Sequence, residues 1–478
     1  MGAVMSQDLW ELDAVGQAAL VQSGEVSALD LVDAAIARIE TLEPVVHAIA
    51  SVDFDAARAK ARSRPTGPLG GVPFLLKDLL AYPGHKLTMG SRLFRDHVAP
   101  AGSPYTERFD AAGLVTLGKT TTSEFGLLGS TETLLAGITR NPWNLAKSAT
   151  GSSGGAAAAV ACGMVPMAHA SDGGGSIRIP ASACGLFGFK PGRRRCVSTG
   201  YADAFELLIE HCVSRSVRDS ALLLSLTEDP GAKPAVGYVD RPLDRTLRIG
   251  VYTTTLRGRA PDPDVMHSLA QAMRLCADLG HEVVEAPPPP VDGASLSDAF
   301  FTLPGSGMHD LARTMESMLG RPVGEDDLEP FTLALIHHVR SLPEGARARA
   351  EAAFAHASAQ MLSYMASYDV LLCPTLPVAP YDLGTLAPGL DRELLVRRTE
   401  VLAGYTPIYS IAGVPAMSVP LGSSESGLPV GSHFAAKLGQ EATLLGLAYQ
   451  LEEAAPWRHR WPAVTRAARE GSVSSRPC

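Results

Sequence analysis

The sequence predicts an α/β fold, and three observations carry that prediction. Between residues 70 and 214, short apolar runs suited to strands alternate with glycine-rich turns and an alanine-rich helix at 154–162. Two later runs, 247–251 and 369–373, read as further buried strands of one sheet, each bounded by turn or proline signals. Composition agrees: 46% apolar and 19% charged residues, with 46 Gly and 35 Pro, describe a turn-rich globular chain. At 478 residues the chain has room for one large α/β unit or for two or three ordinary domains.

The elements follow in order. Ser27 and Asp30 form a capping-box pattern, after which Leu29, Val32, Ile36 and Ile39 fall on one face of a helix that Pro44 is expected to stop. The strand-and-turn region, about 65–215, comes next, and the chemistry is expected there. Residues 287–290, four prolines in a row, read as a stiff loop. The segment from about 296 to 362 is more helical and is expected to cover and shape a pocket. From 458 to 478 the chain is arginine-rich and polar, and a mobile tail is expected.

Charge and cysteine usage exclude several functions. Forty-one Lys plus Arg against 50 Asp plus Glu give a net charge of -9, the wrong sign for a phosphate-backbone binder, so no nucleic-acid partner is expected. Seven dispersed cysteines, an odd number without a C-x-x-C pair, read as reduced thiols of a cytoplasmic protein. The uncharged stretch 148–171 is too rich in Gly and Ser, and broken by Pro166, to span a bilayer; no membrane partner is expected. The first residues, Met1-Gly2-Ala3-Val4-Met5-Ser6, match the bare myristoylation pattern, as many unmodified chains do. Thirteen histidines lack ligand spacing, so no metal is expected.

Two motifs mislead. Residues 113–120, G-L-V-T-L-G-K-T, match the Walker A expression, but a phosphate cradle needs a flexible loop after a strand. Here residues 105–112 look helical, Gly113 suits their C-cap, and 114–117 is itself strand-like. Residues 151–155, G-S-S-G-G, fit a nucleophile elbow centred on Ser153, yet the preceding 141–147 read as turns where that motif requires a strand.

Three segments remain: 71–78 (G-V-P-F-L-L-K-D), 151–155 (G-S-S-G-G) and 171–178 (S-D-G-G-G-S-I-R). At these residues the chain resembles the amidase signature family, with the two serine segments in the family's registry, Ser152 and Ser176 lying 24 positions apart. The resemblance extends through 413–416, 427–429 and Glu452 and runs from about Asp8 to Trp457. It implies Ser176 as nucleophile, Ser152 as a bridging serine held by a cis peptide bond, and Lys77 as base. It also implies a single domain over 1–478, with a mostly mixed β-sheet core covered by helices on both faces. A small-molecule amide substrate and no cofactor are expected, and a homo-oligomer is left open. Within the family, 141–145 and 170–176 most resemble the bacterial branch of 6-aminohexanoate cyclic dimer hydrolase.

The chemistry also follows from the residues. A serine hydroxyl attacks a carbonyl only when a base takes its proton, and lysine can do so only when neutral. At an ordinary pKa of about 10.4, fewer than roughly one lysine in a thousand is neutral at pH 7. Lys77 lies between Val72-Pro73-Phe74-Leu75-Leu76 and Leu79-Leu80, apolar neighbours that disfavour the ammonium form, although a snorkelling structural lysine fits the same segment. Gly173, Gly174 and Gly175 let the backbone approach a carbonyl, and their N–H groups with that of Ser176 are candidates for an oxyanion hole. Ser152 also fits a helix N-cap. Asp172 and Arg178 are expected to brace the glycine turn.

Four positions depart from the family pattern and leave the substrate pocket open: Gly173 for a frequent Thr, Thr121 and Ser410 for Asn, and Cys196 after an Arg193-Arg194-Arg195 run. The expected activity is hydrolysis of a non-peptide carboxylic amide through an acyl-enzyme. Alternatives that keep the same acyl-enzyme are an acyltransferase or amide-forming enzyme, and the amidase subunit of a glutamine-dependent amidotransferase.

Overall fold

The computed structural model describes residues 9–200 and 206–469, so the myristoylation pattern lies outside the described residues. Eleven strands form one sheet: β1 Ile49–Val52, β2 Pro73–Lys77, β3 Val115–Thr120, β4 Met167–Asp172, β5 Phe187–Lys190, β6 Ile209–Ser214, β7 Arg248–Val251, β8 Glu282–Glu285, β9 Val370–Pro374, β10 Ala416–Ser423 and β11 Pro429–Ala436. Their spatial order is β1-β3-β2-β4-β6-β5-β10-β11-β9-β7-β8. β2 runs parallel to β3 and β4, β7 runs parallel to β8 and β9, and the strands between are antiparallel, so the sheet is mixed as expected.

Side-chain alternation sends each strand's residues to opposite faces, and helices cover both. Leu75, Ala168, Ala170 and Val213 pack into one cluster with helices Ala28–Val46 and Gly154–Ala161. Phe74, Leu76, Met167 and Cys212 join the opposite cluster with Ala14–Ser23 and Pro104–Ala112. Farther along the sheet, Ile249, Leu372 and Phe434 face one cluster while Leu371, Cys373 and Ala435 face another.

Several local expectations hold. Ser27 and Asp30 form both bonds of the capping box on helix Ala28–Val46. Gly113 is the left-handed C-cap of Pro104–Ala112 and Val115–Thr120 is the strand, which removes the phosphate loop. The helical layer expected over 296–362 consists of Gly293–Leu319, Pro330–Ser341 and Ala346–Met365.

Others are corrected. Pro44 does not stop its helix at once: its ring removes one i→i−4 bond in the last turn, and the helix ends two residues later at Val46. Residues read as turns at 141–147 contain a hairpin, Arg140–Asn141 paired with Asn144–Ser148. A strand therefore precedes the G-S-S-G-G turn, but two residues separate them and the strand lies outside the main sheet. The expected tail is ordered to 469: Trp461 packs edge-on to Trp10 at 4.4 Å, the Arg215 guanidinium stacks 3.3 Å from its ring, and Ala463–Arg469 is helical. The rest of that tail lies outside the described residues.

The helix Gly154–Ala161 is buried at every position and runs against the end of β3. A Cβ at Gly155 would lie 2.3 Å from Thr121 Oγ1 and 2.6 Å from its backbone N and O, so only glycine permits this approach. Gly155→Ala should therefore cost about 3 kcal/mol in urea unfolding. The exposed helical Gly307, whose added Cβ would meet nothing within 4 Å, should by contrast tolerate Ala and gain up to about 1 kcal/mol.

Candidate active site

The three predicted segments meet at the carboxyl ends of β2 and β4, where an open α/β sheet leaves a crevice for a ligand. Lys77 is the last residue of β2 and Asp172 the last of β4. The loop carrying Ser152 turns between them into the buried helix, and its Gly151–Ser152 peptide bond is cis. Thr131 Oγ1 donates to the Thr150 carbonyl at 2.9 Å and accepts the Gly154 N–H at 3.1 Å. Ser153 Oγ donates to the Ser171 carbonyl at 3.1 Å, which ties the loop to β4. The helix N-cap is Ser153, without a side-chain cap bond, so Ser152 is not a capping residue.

Lys77 is fully buried, with Nζ 2.7 Å from Ser152 Oγ, 3.0 Å from Ser171 Oγ and 3.4 Å from the Ser171 carbonyl. Burial drives its pKa down to about 7, against the upward pull of the Glu210 and Asp172 carboxylates. Two other buried lysines are also lowered by burial, Lys119 to about 8 and Lys190 to about 7. Their amines bond to backbone carbonyls: Lys119 to Leu80, Lys190 to Pro191 and Val414. A carbonyl has no proton to give. Lys77 is distinguished by facing hydroxyls.

Ser176 lies half-buried in the turn between β4 and helix Arg178–Cys184, and no direct hydrogen bond joins it to Lys77 or Ser152. The turn is fixed from behind. Asp172 accepts the Gly175 N–H at 2.7 Å and the Ile177 N–H at 3.1 Å, and Thr406 Oγ1 donates to the Gly174 carbonyl at 2.7 Å. Gly175 takes φ +136°, and a Cβ there would press to 2.3 Å from Thr406 Oγ1, so both backbone and space require glycine. Its N–H is engaged by Asp172, which removes Gly175 from the candidate oxyanion donors. The engagement could not be read from sequence, since it depends on how the turn folds back on Asp172.

The expected brace is present. Arg178 grips Asp172 with two parallel bonds, Nε to Oδ2 at 2.9 Å and Nη2 to Oδ1 at 2.8 Å, both side chains fully buried. Burial alone would raise the Asp172 pKa, but the guanidinium and the turn's N–H groups hold it well below the usual carboxylate range. Arg178 Nη1 also donates to the Thr406 carbonyl and to His433 Nε2, both at 3.0 Å.

The departures sort by position. Ser410 belongs to the brace, accepting from Arg178 Nη2 at 2.9 Å and donating to Asp172 Oδ1 at 3.3 Å. Thr121 lies under the buried helix, bonded to Thr139 at 2.7 Å. At Gly173 an added Cβ would meet only Leu208 Cδ1, at 4.0 Å, so neither conformation nor packing demands glycine there. In the arginine run, Arg195 pairs with Glu441 and Glu228, and Arg193 holds the Ile411 carbonyl at 2.9 Å. Sequence reasoning missed Ser171, His169 and Glu210. Ser171 stood inside a quoted motif as a polar residue in an apolar strand; His169 and Glu210 had no sequence signal, because strand register brings them together.

Among the described residues, no group of three or more His, Cys, Asp or Glu is placed to hold a metal, and no helix is long and apolar enough to cross a membrane. The six described cysteines are free thiols.

At the parallel strand ends of this mixed sheet an amine lowered to about 7 lies against a serine hydroxyl, an arrangement suited to acyl-group chemistry at a serine. The Amidase family model matches residues 30–445, and the chain belongs to that family. AmiC of Mycobacterium tuberculosis is 38% identical, covering 95% of this chain and 97% of that protein. The 6-aminohexanoate-cyclic-dimer hydrolase of Paenarthrobacter ureafaciens is 34% identical over 97% of this chain and 98% of that protein. A solved structure of 6-aminohexanoate cyclic dimer hydrolase complexed with substrate superposes with a TM-score of 0.87 at 34% identity, covering 95% of this chain and 99% of that one. The protein is thus a hydrolase of carboxylic amides, acting on carbon–nitrogen bonds other than peptide bonds.

Removing Arg178 would leave Asp172 buried without its counter-ion, so Arg178→Leu should lose about 3–5 kcal/mol of stability at pH 7. A carboxylate with a depressed folded pKa contributes stability that is present above its unfolded value of about 4 and fades as pH falls toward the folded value. Denaturant midpoints for wild type and variant should therefore converge only in strong acid.

Proposed function

We propose that Ser176 attacks the amide carbonyl to form an acyl-enzyme, with Ser152 relaying its proton to Lys77. The observation that carries this reading is the set of contacts at Lys77 Nζ. A neutral amine has two N–H groups and one lone pair. Two contacts, to the Ser171 hydroxyl and carbonyl, suit the N–H groups, and the third, 2.7 Å from Ser152 Oγ, suits the lone pair as acceptor of the Ser152 O–H. With a pKa of about 7 the amine is neutral in a large fraction of molecules at physiological pH, as a general base must be.

In the forward step the Ser176 O–H proton passes to Ser152 as the Ser152 proton passes to Lys77, and the Ser176 oxygen bonds to the carbonyl carbon. The tetrahedral oxyanion is received by the N–H groups of Gly173, Gly174 and Ser176, with Gly175 left to Asp172. Collapse breaks the C–N bond, and the proton returns from Lys77 through Ser152 to the leaving amine. Water repeats the sequence on the acyl-enzyme and releases the acid. No step requires a cofactor. The cyclic dimer hydrolase relatives suggest a small, non-peptide amide as substrate.

Incubation with a panel of amides and esters should add one acyl group to wild type at Ser176 by intact and peptide mass spectrometry. Ser176→Ala should take none and lose roughly 10⁴-fold or more in turnover; full retained activity would end the proposal. Because Lys77 must be neutral, kcat/KM of the wild type should fall about tenfold per pH unit below pH 7 and level off above it. A flat profile through that range would exclude Lys77 as the titrating base.

A further inference from the structure

Beside Lys77 lies a second buried polar pair that the relay does not use. The Lys77 backbone N–H, at the end of β2, does not meet a strand carbonyl; it donates to His169 Nδ1 at 3.3 Å. The other ring nitrogen, Nε2, lies 2.8 Å from Glu210 Oε2. His169 is fully buried and Glu210 is 8% exposed. The antiparallel register of β4 and β6 sets Glu210 opposite Ser171, the residue that also holds the Lys77 amine.

The bonding fixes the tautomer. Nδ1 accepts and must carry a lone pair, so the ring proton is on Nε2 and points at the carboxylate. The ring is packed edge-on by Tyr105 and bordered by Phe109, both with centroids 6.1 Å away, and burial lowers the His169 pKa, which keeps it neutral. The β2–β4 ladder is short, with Leu75 opposite Ala168 as its registered pair. Where the strands part to open the crevice, the imidazole takes the place of the missing ladder bond.

We propose that His169 and Glu210 form a positioning pair for Lys77: the carboxylate orients the imidazole, the imidazole anchors the lysine main chain, and the carboxylate's charge tunes the amine. This rests on Lys77 as the base of the proposed relay. The charged groups that act on the amine are Glu210 from β6 and Asp172 from β4, the latter paired with Arg178 of the following helix; around the pair itself, Lys119 from β3 and His211 from β6 act on His169, and Tyr105 from helix Pro104–Ala112 faces Glu210. Arg178 is already committed to Asp172, so Glu210 is the carboxylate whose removal most changes the field at Nζ.

The test is the pH profile of kcat and kcat/KM for Glu210→Gln, His169→Leu and His169→Gln, with melting temperatures. Glu210→Gln loses a negative charge near the amine, which disfavours the ammonium form; the acidic limb should move down by about half a unit or more. Its kcat should fall about tenfold with KM within about twofold, as for an interaction acting on the chemical step. His169→Leu should lose at least as much kcat. His169→Gln, whose amide can accept from Lys77 N–H and donate to Glu210, should recover most of that loss. A lower melting temperature with an unmoved limb and unchanged kcat would reduce the pair to a structural role and overturn the proposal. Should Glu210→Gln fail to fold, the Leu and Gln variants of His169 decide it, since equal kcat in both refutes the anchoring. Wild-type activity in Lys77→Met would instead sink the relay itself, an outcome separate from any result at Glu210 or His169.

Discussion

The burial of one amine governs the arrangement of this protein. Lys77 lies with no exposed surface at the end of a central strand, and no carboxylate bonds directly to its Nζ. Burying an ammonium without a paired counter-ion costs several kcal/mol, and the group yields by losing its proton instead. That loss is what the proposed role as base requires. Carboxylates near enough to pull on it, Glu210 and Asp172, are each engaged elsewhere, with His169 and with Arg178. The field at the amine is thus set by distance, and the serines beside it supply the polar contacts that keep its hydrogen bonds satisfied.

The second constraint is the shape of the glycine turn. Asp172 ends β4 and bonds the N–H groups that follow it, Arg178 closes on Asp172 from the next helix, and Ser410, His433 and the Thr406 carbonyl close on Arg178. Ser410 and Thr406 come from the helix Pro407–Ile411 and its N-cap, and His433 from β11, all more than 220 residues away in sequence. The turn is therefore held by both halves of the sheet, and a bidentate buried ion pair with every partner satisfied is rigid enough to present Ser176 without a bond to Ser176 itself. The covering layer completes the wall, since a Cβ on Gly174 would lie 2.6 Å from Phe300 Cζ.

Much of this was legible in the sequence where the signal was local. The capping box of Ser27 and Asp30, the left-handed C-cap at Gly113 and the strand character of 115–120 each depend on residues within one turn of one another, and each appears in the structure. Local signals also failed where context overrode them. Pro44 is a helix breaker by its ring, yet its helix continues through it in the final turn. Trp461 and the helix after it read as a polar tail, because the aromatic platform that orders them, Trp10 and Arg215, lies more than 240 residues upstream. Lys77, Ser152 and the Asp172–Arg178 brace could be named from sequence; the withdrawal of Gly175 from the oxyanion donors could not.

What the sequence determined by itself was chemical identity and order: an α/β chain, three segments carrying a lysine and two serines in registry, and a turn made of glycines. These survive as one-dimensional facts because residue type and spacing along the chain are enough to state them. Tertiary structure alone showed what sets Lys77 apart from the other buried lysines. Lys77, Lys119 and Lys190 are all buried and all lowered, and they differ in what the amine faces, hydroxyls in one case and carbonyls in the others. It alone also joined His169 to Glu210 and set both beside Lys77. A pKa and a hydrogen bond depend on distance and burial in space, and those are fixed by strand register and sheet order, which bring residues together across separations that no local pattern encodes.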